Sequence, residues 1–271
     1  MTTSLNDGAA PNSDPGTASD PSGAPDARAA TVLRAERLVK RVTSPEGSLT
    51  ILDDVSFDVA PGESIAIVGV SGAGKSTLLG LLAGLDVPTE GRVLLEAHDL
   101  SVLDEDGRAA VRADHVGFVF QSFHLIPSLT ALENVMLPLE LAGHPDPTGA
   151  ARAALEAVGL EPRVGHYPRQ LSGGEKQRVA IARAFVIDPK VLFADEPTGN
   201  LDQRTGEAIV ELLFRLNQES GATLVLVTHD LELARRCDRI LYMEAGRLER
   251  EERTAEFQAS NAPTKGLAAA K

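Results

Sequence analysis

Cysteine, tryptophan and aromatic residues are scarce in this sequence. The 271 residues include one cysteine, Cys237, no tryptophan, and 4% aromatic residues in all. One thiol excludes an intrachain disulfide and a zinc site built from several cysteines. With so few rings, a core must consist mainly of Val, Leu, Ile and Ala, which the 43% hydrophobic content can supply.

Signals for export and for a membrane span are also missing. The N-terminus has no basic region followed by an apolar run, as a secretory signal would have. The most apolar long stretch, residues 65–85, contains Lys75 and five glycines, which favours a glycine-rich loop over a membrane helix. We expect a soluble protein that meets any membrane through a partner.

The charge is strongly acidic, with a formal net charge of -13. Binding to nucleic acid through phosphate contacts requires a basic face. The composition therefore predicts no nucleic-acid partner.

Composition divides the chain into a central domain with a tail at each end. Residues 1–30 are rich in Ala, Pro, Ser, Gly, Asp and Thr, and a segment with so little apolar surface is expected to be disordered. Residues 253–271 look similar and are predicted to form a flexible C-terminal tail. One domain is expected over residues 31–252.

Within this domain, apolar runs alternate with helical patterns. Near-continuous apolar runs are typical of strands buried on both faces of a parallel sheet, and the predicted strands are 64–69, 115–120, 190–194 and 223–228. Helical patterns follow at 75–84, 172–187, 204–219 and 231–237. This alternation predicts an α/β fold. Residues 128–170 show helical patterns without a clear strand, so we expect a helical insertion there.

A phosphate-binding loop follows the first predicted strand. The sequence Gly69-Val-Ser-Gly-Ala-Gly-Lys-Ser76 fits G-x-x-x-x-G-K-[ST] and lies between a strand and a helix, the context that this motif requires. The loop backbone and the helix N-terminus would hold the phosphates of a nucleotide, with Lys75 on the β and γ phosphates and the Ser76 hydroxyl on Mg²⁺. A glycine-rich turn with a chance Lys-Ser pair is the weaker interpretation. The predicted binding residues are Gly69, Ser71, Gly72, Ala73, Gly74, Lys75, Ser76 and Thr77.

Polar groups end the other three strands, at Gln121, at Asp195 with Glu196, and at His229. In open α/β sheets the ligand lies beyond the carboxyl ends of the strands, so these groups should converge on the γ-phosphate if the strands are parallel neighbours. Asp195 is placed to hold Mg²⁺, and Glu196 to orient and deprotonate the attacking water. Pro197 follows, which favours extended backbone at Glu196.

A second glycine motif, Leu171-Ser-Gly-Gly-Glu175, opens a later helix. Ser172 and Glu175 form a capping-box pattern. Gly173 and Gly174 weaken a plain helix start, because each costs roughly 0.5–1 kcal/mol relative to Ala. Bare backbone at a helix N-terminus suits the binding of a second anion. If the motif stood alone, a capping box with incidental glycines would also explain it.

Together these residues resemble the ABC ATPase family over roughly residues 32–251. Gly69–Thr77 resembles its Walker A loop, Leu171–Gln177 its signature motif, and Val191–Glu196 its Walker B strand with the catalytic glutamate. The remaining matches are Gln121 for the Q-loop, Asn200–Asp202 for the D-loop and His229 for the switch histidine. The resemblance implies a P-loop NTPase fold with a mainly parallel core sheet, an antiparallel β subdomain and a helical insertion.

The resemblance also implies the ligands and one partner. Catalysis would involve Glu196, His229 and Gln121, and Gln121 would join Ser76 and Asp195 around Mg²⁺. A second copy of the chain would close on the ATP, so that the nucleotide also meets Ser172, Gly173, Gly174, Glu175 and Asp202. Val42 occupies the position where the family often places an aromatic residue against adenine, which puts base selectivity in doubt.

A narrower likeness is to the lipoprotein-release and macrolide-export branch, and most of all to its YbbA-type members. It is carried by residues 84–86, 120–127, 132–135 and 194–202. That branch implies an integral-membrane permease that works by moving large extracytoplasmic domains, exporting or extracting a lipophilic or envelope substrate. The subunit would then lie on the cytoplasmic face of the inner membrane, peripheral through the permease.

Two other interpretations remain at this stage. A soluble ABC ATPase of DNA repair, chromosome handling or translation would share the motifs, but would add a coiled coil, a zinc module or a second ATPase domain. A regulatory module without turnover is disfavoured by Glu196 and His229. For the transport interpretation, the apolar segment 122–135 is a candidate permease contact, with a helix predicted to start near Thr130.

Overall fold

The computed structural model describes residues 31–44 and 47–254, which form two sheets and seven α-helices. The tail expected at 1–30, and residues 255–271 of the other, lie outside the described residues. The strands are β1 Leu33–Ser44, β2 Gly47–Val59, β3 Ser64–Val68, β4 Glu90–Leu95, β5 His98–Asp99, β6 Val116–Phe120, β7 Val191–Asp195, β8 Thr223–Thr228, β9 Arg239–Glu244 and β10 Arg247–Arg253.

The larger sheet has six strands in the order β10-β9-β3-β8-β7-β6. All pairs from β9 to β6 are parallel, and only the β9–β10 hairpin is antiparallel. The four predicted strands are therefore β3, β6, β7 and β8, and they are adjacent parallel neighbours. Their carboxyl ends lie at one edge of the sheet, because Val68 pairs with Thr228 and Asp195 pairs with Val227.

The smaller sheet is antiparallel, with the order β2-β1-β4-β5. It is the antiparallel subdomain that the family resemblance implies. Its long strands are irregular, with register shifts in β1 after Ala35. Gly91 fits one of these shifts, since a Cβ atom there would lie 2.2 Å from the carbonyl oxygen of Arg37.

Every α-helix of the described residues except the first begins at a side-chain cap. Asp104, Thr130, Asp146, Ser172, Asp202 and Asp230 each accept a hydrogen bond from the first turn of the helix that follows. The helices are α1 Lys75–Leu82, α2 Glu105–His115, α3 Ala131–Leu141, α4 Pro147–Ala157, α5 Gly173–Phe185, α6 Gln203–Ser220 and α7 Leu231–Ala234, with 3₁₀ turns at Glu161–Arg163 and Pro168–Gln170.

Two apolar cores cover the two faces of the large sheet. Ile65 and Ile67 belong to the core shared with the small sheet and α1, whereas Ala66 and Val68 belong to the core shared with α3 to α6. Adjacent residues of one strand enter different cores because strand side chains alternate between faces. Burial on both faces explains why these strands read as continuous apolar runs.

The C-terminal boundary of the folded domain lies slightly beyond the predicted residue 252. Arg253 pairs with Arg239, and Thr254 is buried, with its backbone N–H donating to the carbonyl oxygen of Asp238. Among the described residues, no helix is long and apolar enough to cross a bilayer.

The insertion contains α3, α4 and both 3₁₀ turns, as the helical patterns predict. Thr130 caps α3 in a capping box with Glu133. Asn134, which has no exposed surface, fastens the preceding loop to this helix. The two hydrogens of its amide nitrogen are shared among the carbonyl oxygens of Ile126, Leu129 and Thr130, and its Oδ1 accepts from the Ile126 N–H at 2.8 Å.

We predict that Asn134→Leu lowers the free energy of unfolding by roughly 1–3 kcal/mol, because the part-buried Ile126 N–H and Leu129 carbonyl oxygen lose the amide that satisfies them. Urea denaturation measures the change. Met136→Leu, a volume-conserving substitution on the same helix, is the control and should cost less than about 1.5 kcal/mol. Equal stability of the two variants would contradict this function of Asn134.

Candidate nucleotide-binding site

A cleft of about 570 Å³ lies at the carboxyl ends of β3, β7 and β8. It is lined by Ile51, Ser71, Gly72, Gly74, Lys75, Ser76, Thr77, Asp195, Glu196, Val227 and His229. Three of the four predicted groups therefore meet there: the phosphate loop, the Asp195–Glu196 pair and His229. The polar groups that line the cleft include peptide N–H groups, one lysine and two carboxylates. Such a set is suited to binding phosphates together with a divalent cation.

The loop between β3 and α1 depends on its glycines. Gly72 and Gly74 have φ angles of +82° and +92°, in the left-handed region that favours glycine. Gly74 also lies against β2, where a Cβ atom would be 2.8 Å from Leu52 Cδ2. Any side chain at Gly74 would push the loop away from β2, so the glycine fixes both the turn and its support.

The tip of the β9–β10 hairpin supports the loop from below. The N–H of Gly246 donates to the carbonyl oxygen of Ala73 at 3.2 Å, and the carbonyl oxygen of Gly246 accepts from the Asp53 N–H at 2.9 Å. At the start of the loop, a Cβ atom at Gly69 would lie 2.4 Å from the Met243 carbonyl oxygen. Gly69, which is half-buried, and Ala73, which is buried, were both predicted to bind nucleotide, but they support the loop and are not among the residues that line the cleft.

Lys75 and Ser76 begin α1 and face the cleft. The Lys75 ammonium donates to the carbonyl oxygens of Gly69, at 2.8 Å, and Val70, at 3.2 Å. These bonds curl the side chain over the loop, where its charge adds to the N-terminal end of the helix. The start of α1 therefore attracts anions both through the Lys75 charge and through the positive end of the helix.

Asp195 ends β7 in a partly buried position. Burial and the neighbouring Glu196 raise the pKa of Asp195, whereas a hydrogen bond with Ser76 and the charge of Lys75 oppose the rise. Two adjacent carboxylates facing one cleft are unfavourable without a cation. The Ser76 hydroxyl and the Asp195 carboxylate are oxygen ligands of the kind that Mg²⁺ prefers.

Glu196 adopts a left-handed backbone, with φ of +46°, and not the extended conformation predicted from the following proline. One tertiary hydrogen bond and one turn bond override that local preference. The Glu196 N–H donates to the Val227 carbonyl oxygen at 2.9 Å, and the Glu196 carbonyl oxygen accepts from the Gly199 N–H at 3.0 Å. A non-glycine residue held in this region stores strain, a feature that is frequent at functional sites.

His229 and Thr228 hold the carboxylate of Glu196. His229 Nδ1 lies 2.8 Å from Glu196 Oε1, and the Thr228 hydroxyl lies 3.5 Å from Oε2. His229 is exposed over 75% of its side chain, whereas the Glu196 carboxylate side chain is 19% exposed. Thr228 was missed by sequence reasoning, although its place at the end of the same strand as His229 could have suggested it.

Gln121 does not line the cleft. Its Nε2 lies 3.5 Å from Asn200 Oδ1, and the Asn200 amide donates to the Gln121 carbonyl oxygen at 3.0 Å. The side chain runs over Gly199, where a Cβ atom would be 2.6 Å from Gln121 Nε2. The structure therefore brings Gln121 to the segment after Glu196 and not into the cleft itself.

The second glycine motif lies outside this cleft, at the start of α5. The predicted capping box is present, with Ser172 and Glu175 bonded in both directions. Packing explains why one of these positions requires glycine, which the sequence did not reveal: a Cβ atom at Gly174 would lie 2.6 Å from Thr205 Cγ2. Anion binding is thus not needed to explain Gly174, while Gly173 remains partly exposed.

Two acidic residues predicted to meet ATP make contacts within the chain. Hydrogen bonds from Ser172 lower the pKa of Glu175, and Arg163, whose Nε is 3.2 Å away, adds to this effect. Hydrogen bonds with Thr205 lower the pKa of Asp202, which caps α6. Both carboxylates are bonded back onto helix starts.

Val42 lies near the tip of the β1–β2 hairpin and is not among the residues that line the cleft. It is 38% exposed and pairs across the hairpin with Leu49, which is 62% exposed. Ile51, two residues along β2 from Leu49, does line the cleft. The β1–β2 register shifts at Ile51, between the pairs Lys40–Leu52 and Arg41–Thr50, so this irregularity separates Ile51 from the aliphatic pair Val42 and Leu49 at the hairpin tip.

The comparisons with known proteins agree with this geometry. The profile of the family described as ABC transporter matches residues 52–199, more than half of the chain. An uncharacterized ABC transporter ATP-binding protein, YbbA of Escherichia coli strain K12, is 55% identical over 225 residues, covering 82% of this chain and 99% of that protein. The lipoprotein-releasing system ATP-binding protein LolD of Xanthomonas campestris is 49% identical over 221 residues, with 81% and 92% coverage.

Solved structures place the fold in the same family. The ATP-binding cassette MJ0796, solved as a dimer in a post-hydrolysis state with ADP and Pi, matches with a TM-score of 0.76 and 43% identity. The match covers 82% of this chain and 98% of that one. The chain therefore belongs to the ABC transporter family, as one of its ATP-binding and ATP-hydrolysing subunits.

Proposed function

We propose that this subunit hydrolyses Mg²⁺-bound ATP at the cleft between β3, β7 and β8, and that two copies drive a membrane permease. One observation supports the assignment most directly. Glu196, held beside His229, faces the phosphate loop across a single cleft, with Asp195 next to it. A regulatory module without turnover would not need a carboxylate in this strained position.

In this proposal the phosphate loop binds the triphosphate. The N–H groups of residues 71–77 and the start of α1 hold the phosphate oxygens, and Lys75 adds its positive charge. Ser76 and Asp195 would hold Mg²⁺, which would neutralise developing negative charge on the phosphates. The described residues contain no cluster of three or more His, Cys, Asp or Glu that would hold a metal alone, so the phosphates would be expected to supply further oxygen ligands.

Glu196 then orients a water molecule toward the γ-phosphate and accepts its proton. His229 and Thr228 fix the carboxylate. Gln121 is proposed to sense the γ-phosphate and Mg²⁺ after its side chain leaves Asn200. Its bond to Asn200, at 3.5 Å, is long enough to be given up easily.

A second copy completes the site. Ser172, Gly173, Gly174, Glu175 and Asp202 lie outside the cleft of their own chain, so a nucleotide there would meet them only on another chain. A head-to-tail pair with twofold symmetry makes both sites equivalent. The similar cassette MJ0796 was solved as a dimer, which is consistent with such a pair.

The adenine base is proposed to lie between Ile51, which lines the cleft, and the exposed aliphatic pair Val42 and Leu49 at the hairpin tip. A base on Val and Leu side chains gains apolar contact without the stacking that an aromatic ring provides. We therefore propose low selectivity among nucleotide bases.

The permease is proposed to contact the loop 122–129, on the cytoplasmic face of the inner membrane. Side chains from two helices fix the backbone of this loop. The Arg183 guanidinium donates to the carbonyl oxygens of Phe123 and His124, and Asn134 Oδ1 accepts from the Ile126 N–H at the other end of the loop. Phe123 is partly exposed and Ile126 is 37% exposed, so these side chains are available to a partner. The similarity to LolD and YbbA favours a permease of the mechanotransmission type with a lipophilic or envelope substrate.

We expect Glu196→Gln to keep ATP binding and to lower turnover by at least about 100-fold, because an amide cannot accept the proton of the attacking water. Lys75→Ala should instead weaken ATP binding by about tenfold or more, through the loss of a charged contact with the phosphates. ATP affinity and steady-state turnover are measured for both. Glu156→Gln and Lys190→Ala, at exposed positions outside the cleft, are the matched controls. Normal turnover in Glu196→Gln would refute the assignment.

The same Glu196→Gln variant should form a dimer when ATP is added and separate without it, because trapped ATP joins the two halves of each site. Light scattering gives the mass in both conditions. A variant that stays monomeric with saturating ATP, both alone and in detergent with its permease, would count against the paired site.

Phe123→Ala and Ile126→Ala should leave ATP binding and the unfolding temperature nearly unchanged, while weakening co-purification with the permease and its stimulation of turnover. Leu141→Ala removes a side chain that is 79% exposed at the end of α3 and serves as the control. If both loop variants lose stability and keep the permease, these side chains belong to the core and the proposed contact is wrong.

A further inference from the structure

The start of α5 rests on the segment that follows Glu196. We call residues 197–205 the post-catalytic segment. A Cβ atom at Gly173 would lie 3.1 Å from Leu201 Cδ2, and one at Gly174 would lie 2.6 Å from Thr205 Cγ2. The first turn of α5 and this segment are therefore in direct contact, with no room for a side chain between them.

One polar side chain connects them. Gln177 is fully buried, and its Nε2 donates to the carbonyl oxygen of Pro197 at 2.6 Å. Its Oε1 is also buried and has no hydrogen-bond partner among the described residues. Burying an amide with one unsatisfied end disfavours folding relative to an apolar side chain of the same shape. Stability alone therefore does not account for glutamine at this position.

The bond acts on the peptide next to Glu196. Pro197 is the first residue after the left-handed turn at Glu196, and the Gly199 N–H closes that turn on the Glu196 carbonyl oxygen. The partners of the Glu196 side chain itself are the exposed His229 and the Thr228 hydroxyl, which is 3.5 Å away. On the backbone that aims the carboxylate, the short bond from Gln177 is thus a buried side-chain constraint, which acts beside the bond from the Glu196 N–H to the Val227 carbonyl oxygen.

We propose that Gln177 is a positioning residue for Glu196. It fixes the Pro197 carbonyl and so holds the strained turn that directs the Glu196 carboxylate into the cleft. The inference rests on the proposed role of Glu196 as the base. This role has a further consequence in the proposed dimer. The start of α5 in one chain meets one ATP, while Glu196 of the same chain acts on the second ATP. Gln177 connects the start of α5 to the turn at Glu196 and so links the two nucleotide sites.

The test is Gln177→Met in the full chain, which keeps the shape and removes the amide. We expect kcat to fall by roughly 10- to 100-fold, since a displacement of about 1 Å in a catalytic group can cost about 100-fold. The Kd for ATP, measured separately with a fluorescent analogue, should stay within about twofold, because no phosphate contact is lost. A role in packing alone would not separate kcat from ATP affinity in this way.

Asn217→Leu is the matched control. Asn217 is also a buried amide with an unpartnered oxygen, but it lies at the far end of α6. Its substitution should change the unfolding temperature and not kcat. Gln177→Asn, which keeps an amide too short to reach Pro197, repeats the test if the methionine variant does not fold.

The outcomes separate this inference from the proposed function. If Glu196→Gln is inactive and both Gln177 variants turn over normally, the positioning role is wrong and the function stands. If Glu196→Gln turns over normally, the proposed base is wrong whatever Gln177 does. A fall in kcat that Asn217→Leu matches at equal loss of stability would also overturn the positioning role.

Discussion

The site depends on the parallel register of three neighbouring strands. Val68 of β3 lies level with Thr228 of β8, and Asp195 of β7 lies level with Val227. This alignment alone brings a phosphate loop, two carboxylates and a histidine from distant parts of the chain to one cleft. A slip of one residue would turn the side chains of a strand into the opposite core. Because both cores are tightly filled by these strands, the packing that stabilises the sheet also fixes the chemistry at its edge.

Sequence reasoning succeeded where burial or backbone geometry leaves a strong local pattern. The four central strands are apolar on both faces, and the glycines of the phosphate loop have no alternative at φ of +82° and +92°. It did not predict α2, in which only Val111 is buried, or β10, in which no residue is buried. Such elements are held by their neighbours, and their own side chains carry little periodic signal.

Within the site, the failures concern contacts between residues distant in sequence. The proline after Glu196 favours extended backbone, but a bond to Val227 and the turn closed by Gly199 prevail. Gln121 is turned aside by Asn200, 79 residues further along. Gly174 looks like an anion-binding glycine until Thr205 is seen against it. Each case follows from a tertiary neighbour that no local pattern could supply.

These contacts share one feature, which bears on how the subunit works. Gln121 belongs to one motif, and Gly174 and Gln177 belong to another, yet all three touch the post-catalytic segment, residues 197–205. That stretch of chain is short, begins in a strained conformation and is fixed from both sides. A shift of the loop after β6, or of the start of α5, must therefore be accommodated at the same turn, because packed interiors yield little. The turn at Glu196 is thus where binding events at separate surfaces can change the position of one carboxylate, the proposed catalytic base.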